Sequence, residues 1–187
     1  MRADSRLPRV LDCAARLFRQ KGYQAASIRE IVGTVGMLPG SLYCHFASKE
    51  DLLVEVYAEG VRRLRTAVES ATARARDPWK RLEAACVAHL ETLLDGSDYA
   101  QVMVRVQPQE VSEAAPRLIA LRDGYERLFG QLVEALPLPA GTGRGEMRLM
   151  LLGALNWVPN WYRPGRQSPR GVARGFVSIL RSGLDHG

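Results

Sequence analysis

Apolar residues recur at three- and four-residue spacings along almost the whole chain, and no stretch alternates as a strand would, which predicts an all-α protein. Leu7, Val10, Leu11, Ala14, Ala15 and Phe18 form the inward stripe of a first helix, which Lys21 and Gly22 close with a cation and a turn residue. Ser27 and Glu30 have the spacing of a capping box, so a second helix begins at Ile28, with Ile28, Ile31, Val32 and Val35 on one face. Gly36 follows, where a left-handed residue lets the chain turn. Pro39 suits the first turn of a short third helix, whose Leu42 and Phe46 face inward. Ser48 and Asp51 repeat the start signal for a longer helix from Lys49 to about Ala75.

Asp77 and Pro78 open the next helix and Gly96 closes it; another runs from Ser97 to about Val106 and a further one from about Arg117 to Leu136. Pro137, Pro139, Gly141, Gly143 and Gly145 make a loop, too rich in helix breakers for anything else. Met147 to Val158 is apolar almost all round, and such a helix must be covered on more than one side. Pro159 is expected to kink or end it, and Ser168-Pro169 starts the last helix, with Val172, Phe176, Ile179 and Leu180 as its stripe. The expected architecture has about nine helices, with a short-helix head over residues 1–50 and a larger domain over residues 51–187.

A chain of 187 residues with 47% hydrophobic content forms a sizeable globular core. Its formal charge is +6, unevenly placed: residues 1–50 hold eight Lys or Arg against four Asp or Glu. A basic head suits a polyanion. Three cysteines without paired spacing argue for a reducing compartment and against a disulfide framework. Cys86 and His89, one helical turn apart among leucines, read as core rather than as half of a metal site. Cys44 and His45 are adjacent on a helix and point in different directions, so a nucleophile–base pair is not expected there. Asp12 and Arg16 interrupt the N-terminal apolar stretch and no run is long enough to span a bilayer, so a cytoplasmic protein without membrane contact is expected.

Ser27 to Leu53 therefore reads as a helix-turn-helix followed by a capped helix. This segment resembles the DNA-binding head of the TetR family of transcriptional repressors, whose third helix runs approximately Gly-Val-Ser-Lys-Gly-Thr-Leu-Tyr-Tyr-His-Phe and continues Ser-Lys-Glu-Glu-Leu. The chain matches at Gly36, Gly40, Leu42, Tyr43, His45, Phe46, Ser48, Lys49, Glu50 and Leu52. The resemblance implies a three-helix DNA-binding domain joined to a ligand-binding and dimerisation domain, with no enzymatic activity and no cofactor. It places DNA contacts at Arg2, Arg6, Ser27, Pro39, Gly40, Ser41, Tyr43, Cys44, His45 and Lys49, with Tyr43, His45 and Lys49 gripping phosphates. Leu38 stands where the family usually has a Ser cap, Pro39 where Lys is common, and Cys44 where an aromatic is customary. Base reading is thereby expected to lean on thymine methyls and DNA shape more than on bidentate hydrogen bonds.

The last two helices suggest a symmetric dimer packed as a four-helix bundle through Leu152, Leu155, Val172, Phe176, Ile179 and Leu180; the alternative is a monomer whose terminal hairpin closes its own core. The string from Gly153 to Pro169 also resembles TetR-family members that sense acyl-CoA thioesters, through Asn156-Trp157, Trp161-Tyr162 and Pro164-Gly165. Arg148, Asn156, Trp157, Trp161 and Arg163 are then the expected ligand contacts, with Arg144, Arg166 and Arg170 also near enough in sequence to meet the phosphates of a nucleotide tail. The competing reading makes both tryptophans core or interface residues and the arginines solvated. The expected function is a ligand-responsive repressor that binds a palindromic operator as a dimer and is released by an acyl-CoA. The alternatives are the same regulator answering a hydrophobic drug or other apolar small molecule, and a helical enzyme or interaction module.

Overall fold

The structure is a computed structural model that describes residues 6–184. Among these residues there are nine α-helices: α1 Leu7–Lys21, α2 Ile28–Thr34, α3 Pro39–Tyr43, α4 Lys49–Thr72, α5 Pro78–Leu93, α6 Asp98–Arg105, α7 Ala115–Glu134, α8 Arg144–Trp161 and α9 Pro169–Leu184. A 3₁₀ turn at Pro108–Glu110 lies between α6 and α7. The chain forms two compact units, one of residues up to Val61 with Gly96–Leu121, the other of Arg62–Asp95 with residues from Arg122 onward. The first of these units groups the first half of α4, α6 and the start of α7 with the helices before residue 50.

Side-chain bonds in the first unit explain that enlargement. α1 buries Val10, Cys13, Ala14, Ala15 and Phe18 and packs on both α2 and α6. Arg19 Nε lies 2.6 Å from Asp98 Oδ1 as an ion pair outside hydrogen-bond alignment. Tyr99 donates to Asp12 at 2.9 Å, and Arg105 donates to the Arg19 carbonyl at 3.0 Å. Gln24 reaches the Glu110 carbonyl and Arg117 pairs with Asp51 at the start of α4. α4 meets α6 at Gly60, where a β-carbon would stand 2.4 Å from Met103 Sδ, so a larger residue there requires the flexible Met103 side chain to shift.

In the second unit α5 packs on α8 and α9. Leu82, Ala85, Cys86, His89 and Leu90 of α5, Tyr125 and Phe129 of α7, Leu151, Leu152, Leu155 and Val158 of α8, and Val172, Ala173 and Val177 of α9 are buried. Helix limits shift slightly from those expected. α4 stops at Thr72, whose hydroxyl bonds back to the Val68 and Glu69 carbonyls, and α8 begins at Arg144 inside the expected loop. Pro159 does not end α8, which continues to Trp161, with the Tyr162 N–H donating to the Val158 carbonyl at 2.8 Å. So near the C-terminus a proline removes one ladder bond and leaves little helix beyond to disrupt.

Candidate nucleic-acid interface and effector site

The head is built from its caps inward. Ser27 and Glu30 form the capping box reciprocally, the Glu30 N–H donating to Ser27 Oγ at 3.3 Å and the Ser27 N–H to the Glu30 carboxylate at 3.2 Å. α2 buries Ile31 and Val32, and Gly36 turns the chain with φ of 67°. Leu42 and Phe46 anchor α3 from beneath, leaving Pro39 and Ser41 half-buried and Gly40, Tyr43, Cys44 and His45 exposed. Leu38, at the N-terminal edge of α3, is 75% exposed. The Cys44 thiol turns back toward the Gly40 carbonyl at 3.5 Å. Ser48 caps α4 by accepting from the Asp51 N–H.

Lys49 corrects one sequence expectation. Its ammonium donates to the carbonyls of Tyr23, Gln24 and Ala26 at 3.1, 3.2 and 3.2 Å and sits 4.4 Å from the Tyr23 ring centre. An ammonium has three donors, so this one closes the turn after α1 and none is left for a phosphate. Beside it the Tyr23 hydroxyl donates to Glu50 at 2.5 Å. Burial, then Glu50, pushes the Tyr23 phenol above its usual range, while that hydrogen bond holds the Glu50 carboxyl below its own. Lys21 is paired with Glu30. Arg6 is exposed before α1, and Arg2 lies outside the described residues. Arg29 is exposed on the first turn of α2; an isolated arginine beside a capping box carries no pattern that would single it out in the sequence.

The expected dimer residues divide. Leu152, Leu155 and Val172 are buried within their own subunit and belong to its core. Phe176 and Leu180 are half-buried, and Ile179 is 72% exposed. On α8 it is Leu149, Met150, Trp157 and Trp161 that face outward. An apolar-all-round helix has no phase to read, so the sequence did not separate the residues that face the subunit's own core from those that face outward.

The expected ligand residues also separate. Trp157 is 64% exposed on the outer side of α8 and lines no cavity within the single subunit described. Arg148 pairs with Glu126 at 3.0 Å, and Arg144 donates to the Val133, Glu134 and Leu136 carbonyls at the end of α7, so both guanidinium groups serve the fold. Arg170 pairs with Glu91. Trp161 and Arg163 do come together, with Tyr162, Arg166, Gln167 and Val172, around a surface recess of about 590 Å³. Asn156, exposed on α8, has its amide near the wholly buried His89. His89 Nδ1 lies 2.8 Å from the Tyr125 hydroxyl, and burial lowers the ring's pKa from 6.5 to about 4, a shift that Asn156 slightly opposes. His89 and Tyr125 are 36 positions apart, too far for sequence spacing to join them.

Among the described residues there is no group of acidic, histidine or cysteine side chains able to hold a metal, and no helix is long and apolar enough to cross a membrane. Residues 10–56 match the family model for bacterial regulatory proteins of the tetR family, and residues 75–184 match that for the tetracyclin repressor-like C-terminal domain. The chain is 30% identical over 183 residues to the HTH-type transcriptional repressor KstR2 of Rhodococcus jostii, covering 94% of this chain and 89% of that one. It is similar to the solved TetR-family regulator PfmR of Thermus thermophilus at 28% identity and a TM-score of 0.72, covering 94% and 98% of the two chains. The fold is shared with AibR, solved in complex with isovaleryl coenzyme A and operator DNA, at 23% identity and a TM-score of 0.77 over 94% and 97%. With a helix-turn-helix head, a helical second unit and family models that together span most of its length, this chain is a transcription factor and not an enzyme, and belongs to the TetR family of ligand-responsive regulators.

Proposed function

We propose that the protein is a dimeric repressor of a palindromic operator, released by an acyl-CoA thioester. The observation that carries the effector class is the recess at the end of α8: Trp161 and Tyr162 beside Arg163 and Arg166 supply aromatic faces and cations, the groups that suit an adenine ring and its phosphates. The isovaleryl coenzyme A bound by AibR supports the same class. The exposed apolar side chains Leu149, Met150, Trp157 and Ile179 of α8 and α9, with the half-buried Phe176, form the dimer interface, since such side chains on one helical unit mark an association surface.

On DNA, α3 lies in the major groove, with Leu38, Gly40, Ser41, Tyr43, Cys44 and His45 toward the bases and adjoining backbone, and Arg29 and Arg6 on phosphates. α4 and α7 each run without a break from residues of one unit into residues of the other, so effector binding reaches the head through continuous helix. A coupling of about 1–3 kcal/mol is enough to shift the population between bound and released states. The test is an operator-release screen of CoA thioesters against the matching free acids, on DNA from beside the protein's own gene. Release by thioesters alone supports the reading, and release by free acids or drugs with no response to any thioester overturns it.

A further inference from the structure

Leu38, in the turn that leads into α3, is the most exposed large apolar side chain among the described residues, at 75%. A lone exposed leucine needs no explanation in itself, but this one is held in place. Pro39 confines it to extended backbone, with φ of −81° and ψ of 146°, and its carbonyl accepts from the Ser41 N–H at 3.0 Å. The side chain is therefore presented from fixed backbone. Two residues on, Gly40 is exposed, and a β-carbon there would meet nothing within 4 Å. The fold does not require glycine at that point; its missing side chain leaves an open approach beside Leu38.

Leu38, Pro39 and Gly40 carry no side-chain donor or acceptor, so a base edge that meets them is not told apart by hydrogen bonds to these side chains. The apolar feature of the major groove is the 5-methyl group of thymine. Purines and unmethylated cytosine present polar atoms there, and covering those with a leucine removes water without replacing its hydrogen bonds. Cytosine methylated at C5 carries the same methyl in the same place. It differs from thymine at position 4, where an amino group replaces the carbonyl oxygen, and an aliphatic side chain does not read that difference.

We infer that Leu38 is a specificity-determining residue that reads a pyrimidine 5-methyl group and not a base identity: it accepts thymine and 5-methylcytosine alike and disfavours uracil and cytosine. This rests on the reading that α3 enters the major groove. Taking one methyl group out of water gives about a fourfold preference, and the two half-sites of a dimer together give about ten- to twentyfold. Wherever an operator has cytosine at that position, its affinity for the repressor then answers to cytosine-5 methylation of the DNA.

The test uses the full-length dimer and the duplex it protects in DNA from beside its own gene, with each thymine replaced in turn by uracil, symmetrically in both half-sites. One position is expected to lose about ten- to twentyfold in affinity, a loss absent from Leu38→Ala and Leu38→Ser, whose melting temperatures match that of the wild-type protein. At that position 5-methylcytosine paired with guanine is expected to bind about ten- to twentyfold tighter than cytosine paired with guanine, again only where Leu38 is present. The assignment is overturned if uracil weakens binding at no position, or if its effect survives in both variants. Sequence preference that still shifts with Ser41→Ala would then leave α3 in the groove with another residue as the methyl reader. Preference that no substitution from Leu38 to His45 alters would remove the groove reading as well.

Discussion

Replacing Lys49 by Ala separates an internal fastening from a DNA contact. The ammonium holds three carbonyls of the turn between α1 and α2 and covers the Tyr23 ring. A hydrogen bond to a charged group contributes roughly 1.5–3 kcal/mol, but three acceptors share one ammonium and the side chain is half-exposed. With about 0.5–1 kcal/mol for the cation over the ring, the loss comes to about 2–3 kcal/mol. For a chain of this size each kcal/mol lowers the melting temperature by about 2–4 °C, so the Ala variant is expected to melt about 5–10 °C lower. Its operator affinity falls because α4 is no longer tied to the turn before α2. The slope of log affinity against log salt stays unchanged, as no phosphate contact is lost. Thermal melts and operator titrations at several salt concentrations check both. A slope flatter by about one with an unaltered melt would refute the internal role and return Lys49 to the phosphates.

Ile179→Glu and Met150→Glu are expected to leave the subunit folded while sedimentation shows monomers and the operator shift fails, because both side chains are exposed within one subunit. Leu155→Ala is instead expected to cost about 2–5 kcal/mol of stability, since Leu155 is fully buried. His89 titrates at about 4 in the fold against 6.5 when unfolded, so the unfolded chain takes up its proton first. Stability is therefore expected to fall by about 3 kcal/mol as pH drops from about 6.5 to 4, and His89→Phe to flatten that part of the denaturation profile. Arg29→Ala is expected to flatten the salt slope by about one without altering sequence preference, measured on a set of operator variants.

The helices and most of their starts were legible because caps are local. Ser27 with Glu30, Asp77 with Pro78 and Ser97 each declare a start within four residues, and each caps a helix in the structure. The head's inward residues were legible for a related reason, since Leu42 of a very short helix and Phe46 just beyond it have one side on which to be buried. What stayed hidden depends on partners far along the chain. The bonds that bring α6 and the start of α7 to the head's helices join Asp12 to Tyr99, Arg19 to Asp98 and Asp51 to Arg117, and no spacing rule links such positions. α8 failed for lack of contrast: with leucines on several sides, periodicity gives no preference between Leu152 inward and Leu149 outward.

Charge was the hardest quantity to read, because a count cannot tell a free cation from an occupied one. Of the eight basic residues in the first fifty, Arg19, Lys21 and Lys49 are held by Asp98, by Glu30 and by backbone carbonyls. From Pro39 to His45 the chain carries no Lys or Arg, while Leu38 and Tyr43 stand 75% and 53% exposed. The two demands of operator binding are thereby divided between elements. In the proposed mode of binding, long-range attraction to phosphate, which carries no sequence information, falls to arginines outside α3, and α3 with the turn after it offers the groove an apolar edge, a phenol and a thiol. A recognition helix without a cation cannot use the bidentate guanine contact on which many repressors rely. On the proposed reading its selectivity comes from methyl contacts and groove shape, so substitutions in α3 are expected to change which operators are bound, in titrations on operator variants, while the salt dependence stays where the arginines set it.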